Sequence, residues 1–238
     1  MSEETVQIIP SMKKELAGLI DHTLLSATAA RSDIVRHCKE AIEYGFCSVC
    51  VLPRWTSLAA DTVHGTGVKV DGVVGFPFGA DTTKTKAADA REVIMAGADE
   101  VDMVADLASV IDGDRRYLLR DLRAVLEVCR SVRPAVTLKV IIESAALTDE
   151  QIVFVCGACE EAGVDFIKTS TGLHPAGGAG VADVRLMAQS APSCRIKAAG
   201  GIGSAAEALA MIEAGASRIG ASKSIQIING FTESGAEK

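Results

Sequence analysis

Phe166-Ile167-Lys168-Thr169-Ser170-Thr171-Gly172 reads as a short strand that runs into a loop of hydroxyls and glycine. Successive side chains of a strand point to opposite faces, so Phe166 and Lys168 share one face and Ile167 takes the other. If helices cover the Ile167 face, Lys168 stands inside the fold at the strand's carboxyl end. A lone ammonium is costly there. Both the fold and the chemistry therefore turn on what surrounds that amine.

Outward from this stretch the chain repeats one cycle. A short extra helix over residues 12–18 leads to a strand at 19–23. Further strands are expected at 47–52, 70–76, 100–104, 136–142, 166–169, 195–198 and 218–220. Between and after them, helices are expected at 32–44, 54–64, 83–96, 114–133, 148–162, 181–190, 204–214 and 224–229. Ser32 is a candidate cap for the first of these and Gly45 its stop. Ala-Gly-Ala-Asp (96–99), Ala-Gly-Val-Asp (162–165) and Ala-Gly-Ala-Ser (214–217) place one helix stop ahead of three different strands, which is architecture. Eight strands alternating with eight helices point to a parallel α/β fold, a single (β/α)8 TIM barrel. A doubly wound open sheet is the alternative, although such sheets more often have five or six strands. No linker divides residues 1–238, so one domain is expected, with 1–10 and 231–238 as flexible tails.

The totals agree with an enzyme-sized core. The chain has 238 residues, 48 % of them apolar, and a net charge of −7. That charge argues against general nucleic-acid binding. It leaves room for a small anion, because a few local lysines can hold one phosphate. Residues 1–10 lack the basic and apolar regions of a signal peptide, and no apolar run is long enough to span a bilayer. Seven cysteines, scattered through the elements, fit free thiols in a reducing compartment. A cytoplasmic protein with no membrane partner is the expectation.

In a TIM barrel the chemistry sits at the carboxyl ends of the strands. Apolar residues fill the outward parity of several strands and leave charges inward: Asp21 on the first, Asp102 on the fourth, Lys139 and Glu143 on the fifth, Lys168 on the sixth and Lys197 on the seventh. Three confined ammonium groups repel one another, and repulsion and desolvation both lower a lysine pKa. An amine near neutral pKa attacks carbonyls to form an imine. The residues thus suggest a Schiff-base lysine, a second lysine that tunes it and a carboxylate that moves protons. No metal or other cofactor is required, because the protonated imine is itself the electron sink. A structural ion-pair network is the alternative.

Eight stretches carry a resemblance to a known family. They are Asp-His-Thr-Leu-Leu (21–25), Ser-Val-Cys-Val-Leu-Pro-Arg (48–54), Val-Gly-Phe-Pro-Phe-Gly (74–79), Glu-Val-Asp-Met-Val (100–104), Leu-Lys-Val-Ile-Ile-Glu (138–143), Asp-Phe-Ile-Lys-Thr-Ser-Thr-Gly (165–172), Asp-Val-Arg-Leu-Met (183–187) and Ile-Lys-Ala-Ala-Gly-Gly-Ile (196–202). In that order they resemble the deoxyribose-phosphate aldolase family over nearly the whole chain. The resemblance implies a class I aldolase that reversibly cleaves 2-deoxy-D-ribose 5-phosphate to D-glyceraldehyde 3-phosphate and acetaldehyde, a step of deoxyribonucleotide catabolism. It gives the imine to Lys168, the tuning role to Lys197 and the proton relay to Asp102. Lys139, Asp21, Thr171 and Cys50 become supporting residues, Cys50 as a thiol that approaches the pocket. By analogy with barrels of this kind, a homodimer or homotetramer is expected. The alternatives are another aldehyde pair and a phosphate-binding barrel without turnover.

Glycine loops after the last two strands suit a phosphate. Gly200 and Gly201 lie before the Ser204 helix, Gly220 and Ser222 before the last one, and Gly172 adds a donor from the sixth loop. Two departures from the family pattern stand here. Leu173 replaces a lysine of some relatives, and Lys223 replaces a small residue, so Lys223 is expected to supply the cation. Asp106 stands where many relatives have asparagine, and residues 231–238 lack the tyrosine of some longer relatives. Cys47/Cys50 and Cys156/Cys159 have metal-like spacing. However, the first pair faces opposite sides of a strand and the second packs a helix on the barrel. His37 and His64 read as surface residues.

Overall fold

The computed structural model describes residues 12–231, of which 12–17 form the expected extra helix. The strands are β1 (Ile20–Leu24), β2 (Ser48–Val51), β3 (Lys69–Val74), β4 (Glu100–Val104), β5 (Thr137–Ile141), β6 (Phe166–Lys168), β7 (Arg195–Ala199) and β8 (Ala216–Ala221). All neighbours pair in parallel, and β8 returns to β1 to close the barrel. The helices are α1 (Arg31–Tyr44), α2 (Thr56–Val63), α3 (Thr83–Met95), α4 (Leu107–Ile111), α5 (Arg115–Arg130), α6 (Asp149–Ala162), α7 (Val181–Ser190), α8 (Ala205–Glu213) and α9 (Ser224–Asn229).

The repeated Ala-Gly phrases act as expected. Gly97, Gly163 and Gly215 all take positive φ, at 102°, 79° and 117°, a conformation in which a side chain is strained. The aspartates that follow serve the neighbouring strand. Asp99 Oδ2 accepts the Val70 N–H at 2.9 Å, and Asp165 Oδ2 accepts that of Leu138 at 2.9 Å.

Some local details differ from the sequence reading. α1 begins one residue earlier, at Arg31. Ala30 is its cap, and Asp33 Oδ2 accepts the Ala30 N–H at 2.9 Å, so Ser32 is not the cap. The short helix α4 was not expected. Asp106 caps it by accepting the Ser109 N–H at 2.7 Å, which turns this carboxylate to its own helix. Residues 1–10 lie outside the described residues. Of 231–238 only Phe231 is described, and it is buried in the core.

The apolar core is the shell between sheet and helices. Ile20, Val49, Val70, Val101, Met103, Leu138, Val140, Ile167, Ile196 and Ile219 face it from the strands. The opposite parity fills the barrel with charge: Asp21, Asp71, Glu100, Asp102, Lys139, Lys168, Lys197 and Arg218 are all buried. The same alternation rule thus builds a dry shell and a polar interior.

Candidate active site

Every residue singled out for the interior lies where its parity puts it, and barrel closure brings the members together. Asp102 is the centre. Its Oδ2 accepts from Lys168 Nζ at 2.8 Å and from Lys197 Nζ at 2.6 Å, and its Oδ1 accepts from Lys139 Nζ at 2.8 Å. Lys197 also lies 2.6 Å from Asp21 Oδ2 and 3.0 Å from Asp71 Oδ2. Lys139 reaches Asp71 Oδ2 at 3.0 Å and Glu100 Oε2 at 2.8 Å. Below them, Arg218 bridges Asp21 Oδ1 at 2.7 Å and Glu100 Oε2 at 2.9 Å.

These contacts correct the expectation of mutually repelling lysines. Carboxylates separate the ammonium groups, and their attraction outweighs the repulsion. Burial by itself would lower Lys197, yet Asp102, Asp21 and Asp71 hold it well above the ordinary lysine range. Lys139 behaves alike: burial opposes its charge, while Asp102 and Asp71 keep it protonated. Burial favours the neutral acid at Asp102, but Lys139, Lys168 and Lys197 hold it well below the usual carboxylate range. Asp21 is lowered by Lys197, Lys139 and Arg218 against the same burial. Asp71 goes the other way, pushed up to about 6 by burial and then by the charge of Asp102.

Asp71, Glu100 and Arg218 were missed from the sequence. A signal was available for each: Asp71 sits between outward Val70 and Gly72, Glu100 shares the parity of Asp102, and Arg218 precedes outward Ile219. Gly72 lies on the helix face, where a Cβ would meet Val93 at 3.1 Å.

A cleft of about 510 Å³ opens at the carboxyl ends of the strands. Of the four buried barrel cations, Lys168 alone lines it, together with Thr171, Gly172, Gly200, Gly201, Gly220, Ser222 and Lys223. The strand end that holds Lys168 is fixed on both sides. Thr169 N–H donates to Lys197 O at 3.0 Å, and Thr169 Oγ1 exchanges hydrogen bonds with the backbone of Ala199. Glu143, with φ 52°, turns into the mouth and accepts the Thr171 N–H. Cys50 is fully buried beside Asp71 and Asp102, below the cleft, and burial first, then Asp71, raise its thiol well above the usual value.

The glycines have distinct tasks. At Gly220 a Cβ would lie 2.9 Å from Ala199 Cβ and 3.1 Å from Lys197 Cε, so its bareness makes room for the Lys197 stem. At Gly200 a Cβ would meet Gly178 Cα at 2.9 Å, where the sixth and seventh loops touch. The helix start expected to present free amides is partly used. Glu207 Oε2 accepts the N–H groups of Gly203 at 2.8 Å and Ser204 at 2.9 Å. Among the described residues, the N–H groups of Gly172, Gly201 and Ile202 have no protein acceptor. The Lys223 stem crosses in front of Gly203, where its Cδ is 3.2 Å from a virtual Cβ.

His37 is buried, against expectation. Its ring stacks on His22 with centroids 3.7 Å apart, and its Nε2 lies 2.9 Å from His22 O. His22 faces α1, where Nε2 lies 3.1 Å from Glu40. Cys156 and Cys159 are buried on α6, while Cys47 is half-buried and Cys50 fully buried.

Comparison with known proteins follows the same lines. A family model described as DeoC/LacD family aldolase matches residues 16–235. The deoxyribose-phosphate aldolase of Aciduliprofundum boonei is 49 % identical over 216 residues, covering 90 % of this chain and 96 % of that one. The deoxyribose-phosphate aldolase of Geobacillus sp. (strain WCH70) is 46 % identical over 222 residues, covering 93 % and 98 %. Among solved structures, the tetrameric deoxyribose phosphate aldolase from Aeropyrum pernix superposes with a TM-score of 0.85 at 29 % identity, covering 96 % and 97 %.

Proposed function

The chain belongs to the DeoC/LacD aldolase family, and from that premise we propose that it is a class I aldolase that reversibly cleaves 2-deoxy-D-ribose 5-phosphate to D-glyceraldehyde 3-phosphate and acetaldehyde. One observation carries the reading of the site: Lys168 is the single amine of a buried charge network that reaches the cleft.

In this reading Lys168 gives up a proton to Asp102 Oδ2, its nearest acceptor, and attacks the sugar's C1 aldehyde. Loss of water leaves a protonated imine. Removal of the C3 hydroxyl proton then breaks the C2–C3 bond and releases glyceraldehyde 3-phosphate, the electrons passing into an enamine. Protonation at C2 and hydrolysis release acetaldehyde and restore the amine. Asp102 relays these protons. Lys197, on the same carboxylate oxygen, keeps Asp102 ionised and its cation close to the reacting amine. Lys139 and Asp21 hold this pair, and Thr171 positions the loop beside it. Cys50 packs beneath the site.

The phosphate is assigned to the loop amides around Gly172, Gly200, Gly201 and Gly220, to Ser222 and to the cation of Lys223. Support comes from the unpartnered amides of Gly172 and Gly201 and from the place of Lys223 on the cleft wall. A homo-oligomer is the assembly we favour, on the precedent of the tetrameric Aeropyrum relative. A cytoplasmic site of action accords with the seven free cysteines and with the absence, among the described residues, of any helix long and apolar enough to cross a membrane.

Borohydride reduction in the presence of acetaldehyde tests the reading. The wild-type chain should gain one ethyl group, mapped by peptide mass to Lys168, and Lys168→Leu should gain none and lose all turnover. An adduct elsewhere, or turnover that persists in Lys168→Leu, would end it.

A further inference from the structure

Asp71 is left without a task by the chemistry above, yet it is wholly buried among the reacting groups. We propose that Asp71 is a positioning residue that takes up the proton Lys168 must lose, and so sets the pH range in which that amine is a nucleophile; this rests on the imine chemistry assigned to Lys168.

The geometry provides the route. Asp71 Oδ2 is 3.0 Å from both Lys197 Nζ and Lys139 Nζ, while Asp71 Oδ1 has no hydrogen-bond partner. Lys197 in turn shares Asp102 Oδ2 with Lys168. A proton can pass from Lys168 to Asp102 Oδ2 and from there to Lys197, as Lys197 hands one of its own to Asp71 Oδ2. The net change is one proton moved from Lys168 to Asp71, with Asp102 and Lys197 back in their starting charge states. Nothing else is consumed.

Charge balance gives the reason. The carboxylates of Asp21, Asp71, Glu100 and Asp102 face the cations Lys139, Lys168, Lys197 and Arg218 inside the barrel. With all eight ionised the set is neutral, and it stays so when Glu143 at the mouth and Lys69, 3.1 Å from Glu100, are added to the two sides. If Lys168 alone sheds its proton, an uncompensated negative charge stays buried, which is expensive. Neutrality returns when one carboxyl takes the proton.

Asp71 is the best placed of the four. Asp102 bonds three ammonium groups, and Asp21 and Glu100 each hold Arg218 besides a lysine. Asp71 has the fewest contacts and a free oxygen. It also faces Cys50 across the β2 pairing and Glu100 across β4. Burial and the charge of Asp102 have already pushed it up to about 6. In effect Lys168 and Asp71 share one proton.

Asp71→Asn tests this, because the amide copies the protonated acid and cannot ionise. The remaining carboxylates, Asp21, Glu100 and Asp102, then balance Lys139, Lys197 and Arg218 with Lys168 neutral. The readout is the rate at which acetaldehyde and cyanoborohydride ethylate Lys168, followed by intact mass across pH. The acid limb of that profile should move to lower pH by about one unit, the size of a nearby charge's effect on a lysine. A limb that stays in place while the plateau falls, or one that moves to higher pH, would overturn the proposal and leave Asp71 a purely structural group. Should the variant not fold, carboxyl ¹³C NMR of the aspartate-labelled wild-type chain decides instead. A buried carboxyl titrating near neutrality supports the proposal, and aspartates that all titrate in the ordinary acid range overturn it. A wild-type chain that is never ethylated at any pH would overturn the imine reading itself, a result distinct from an unshifted limb.

Discussion

Lys197→Met is the perturbation that most directly examines the charge network. The ammonium of Lys197 lies within 3.0 Å of Asp21, Asp71 and Asp102, all without solvent exposure. Methionine keeps the stem packed beside Gly220 and removes only the charge. Taking one partner from a buried ion pair costs about 3–5 kcal/mol, because the other is left uncompensated. For a chain of this length that corresponds to a fall in Tm of roughly 6–20 °C. The loss should depend on pH, and its sign follows from the lowered carboxylates. Asp102 and Asp21 ionise in the folded chain below their unfolded values, so their stabilisation is present above about pH 4 and fades as pH falls through the folded values. The variant forfeits part of that stabilisation, so its deficit should hold from pH 8 down to about pH 4 and shrink as the pH falls below that. Urea unfolding followed by circular dichroism at several pH values measures it. Imine formation at Lys168 should drop about a hundredfold or more, the scale of a lost proton-transfer partner. Equal Tm values for variant and wild type at pH 8, or a deficit that grows on acidification, would refute the picture of a charged, mutually paired interior.

Two further outcomes are expected. Lys223→Ala should raise KM for the phosphorylated sugar up to about fivefold while leaving turnover of unphosphorylated deoxyribose unchanged, since one exposed cation on a phosphate contributes at most about 1 kcal/mol; steady-state kinetics with both sugars checks this, and an unchanged KM would leave Lys223 as a solvated helix start. The stacked pair His22 and His37 is kept neutral by burial, at about 4 and about 3. Unfolded histidines bind protons first on acidification, so stability should fall as pH drops below about 6.5, by up to about 2 kcal/mol per histidine at pH 5. His37→Gln should flatten the curve of Tm against pH between 7 and 5, and a slope equal to wild type would count against the buried pair.

Alternation was legible throughout the chain. Ile167 between Phe166 and Lys168, Leu138 and Val140 around Lys139, and Val101 and Met103 around Asp102 told inside from outside, because side-chain parity is a property of two or three adjacent residues. The helix stops at Gly97, Gly163 and Gly215 were readable for the same reason. Reading erred where an environment comes from distant chain. His37 has the ordinary look of an exposed helical residue until β1 lays His22 against it; the use of the Gly203 and Ser204 amides by Glu207, by contrast, is a local capping box that the Ser204 and Glu207 spacing offered.

Strand count and the face on which a charged side chain stands are thus local matters that the amino-acid order determined. The protonation of that interior is not local. β3 meets β7 only across the closed barrel, so the contact of Asp71 with Lys197, 126 residues away, does not exist until the sheet closes. Three lysines seen in sequence look like a cluster of repelling cations. Tertiary structure alone interleaves them with carboxylates, and because Coulomb energy depends on distance and on exclusion of water, it reverses the sign of what the lysines at 139 and 197 experience.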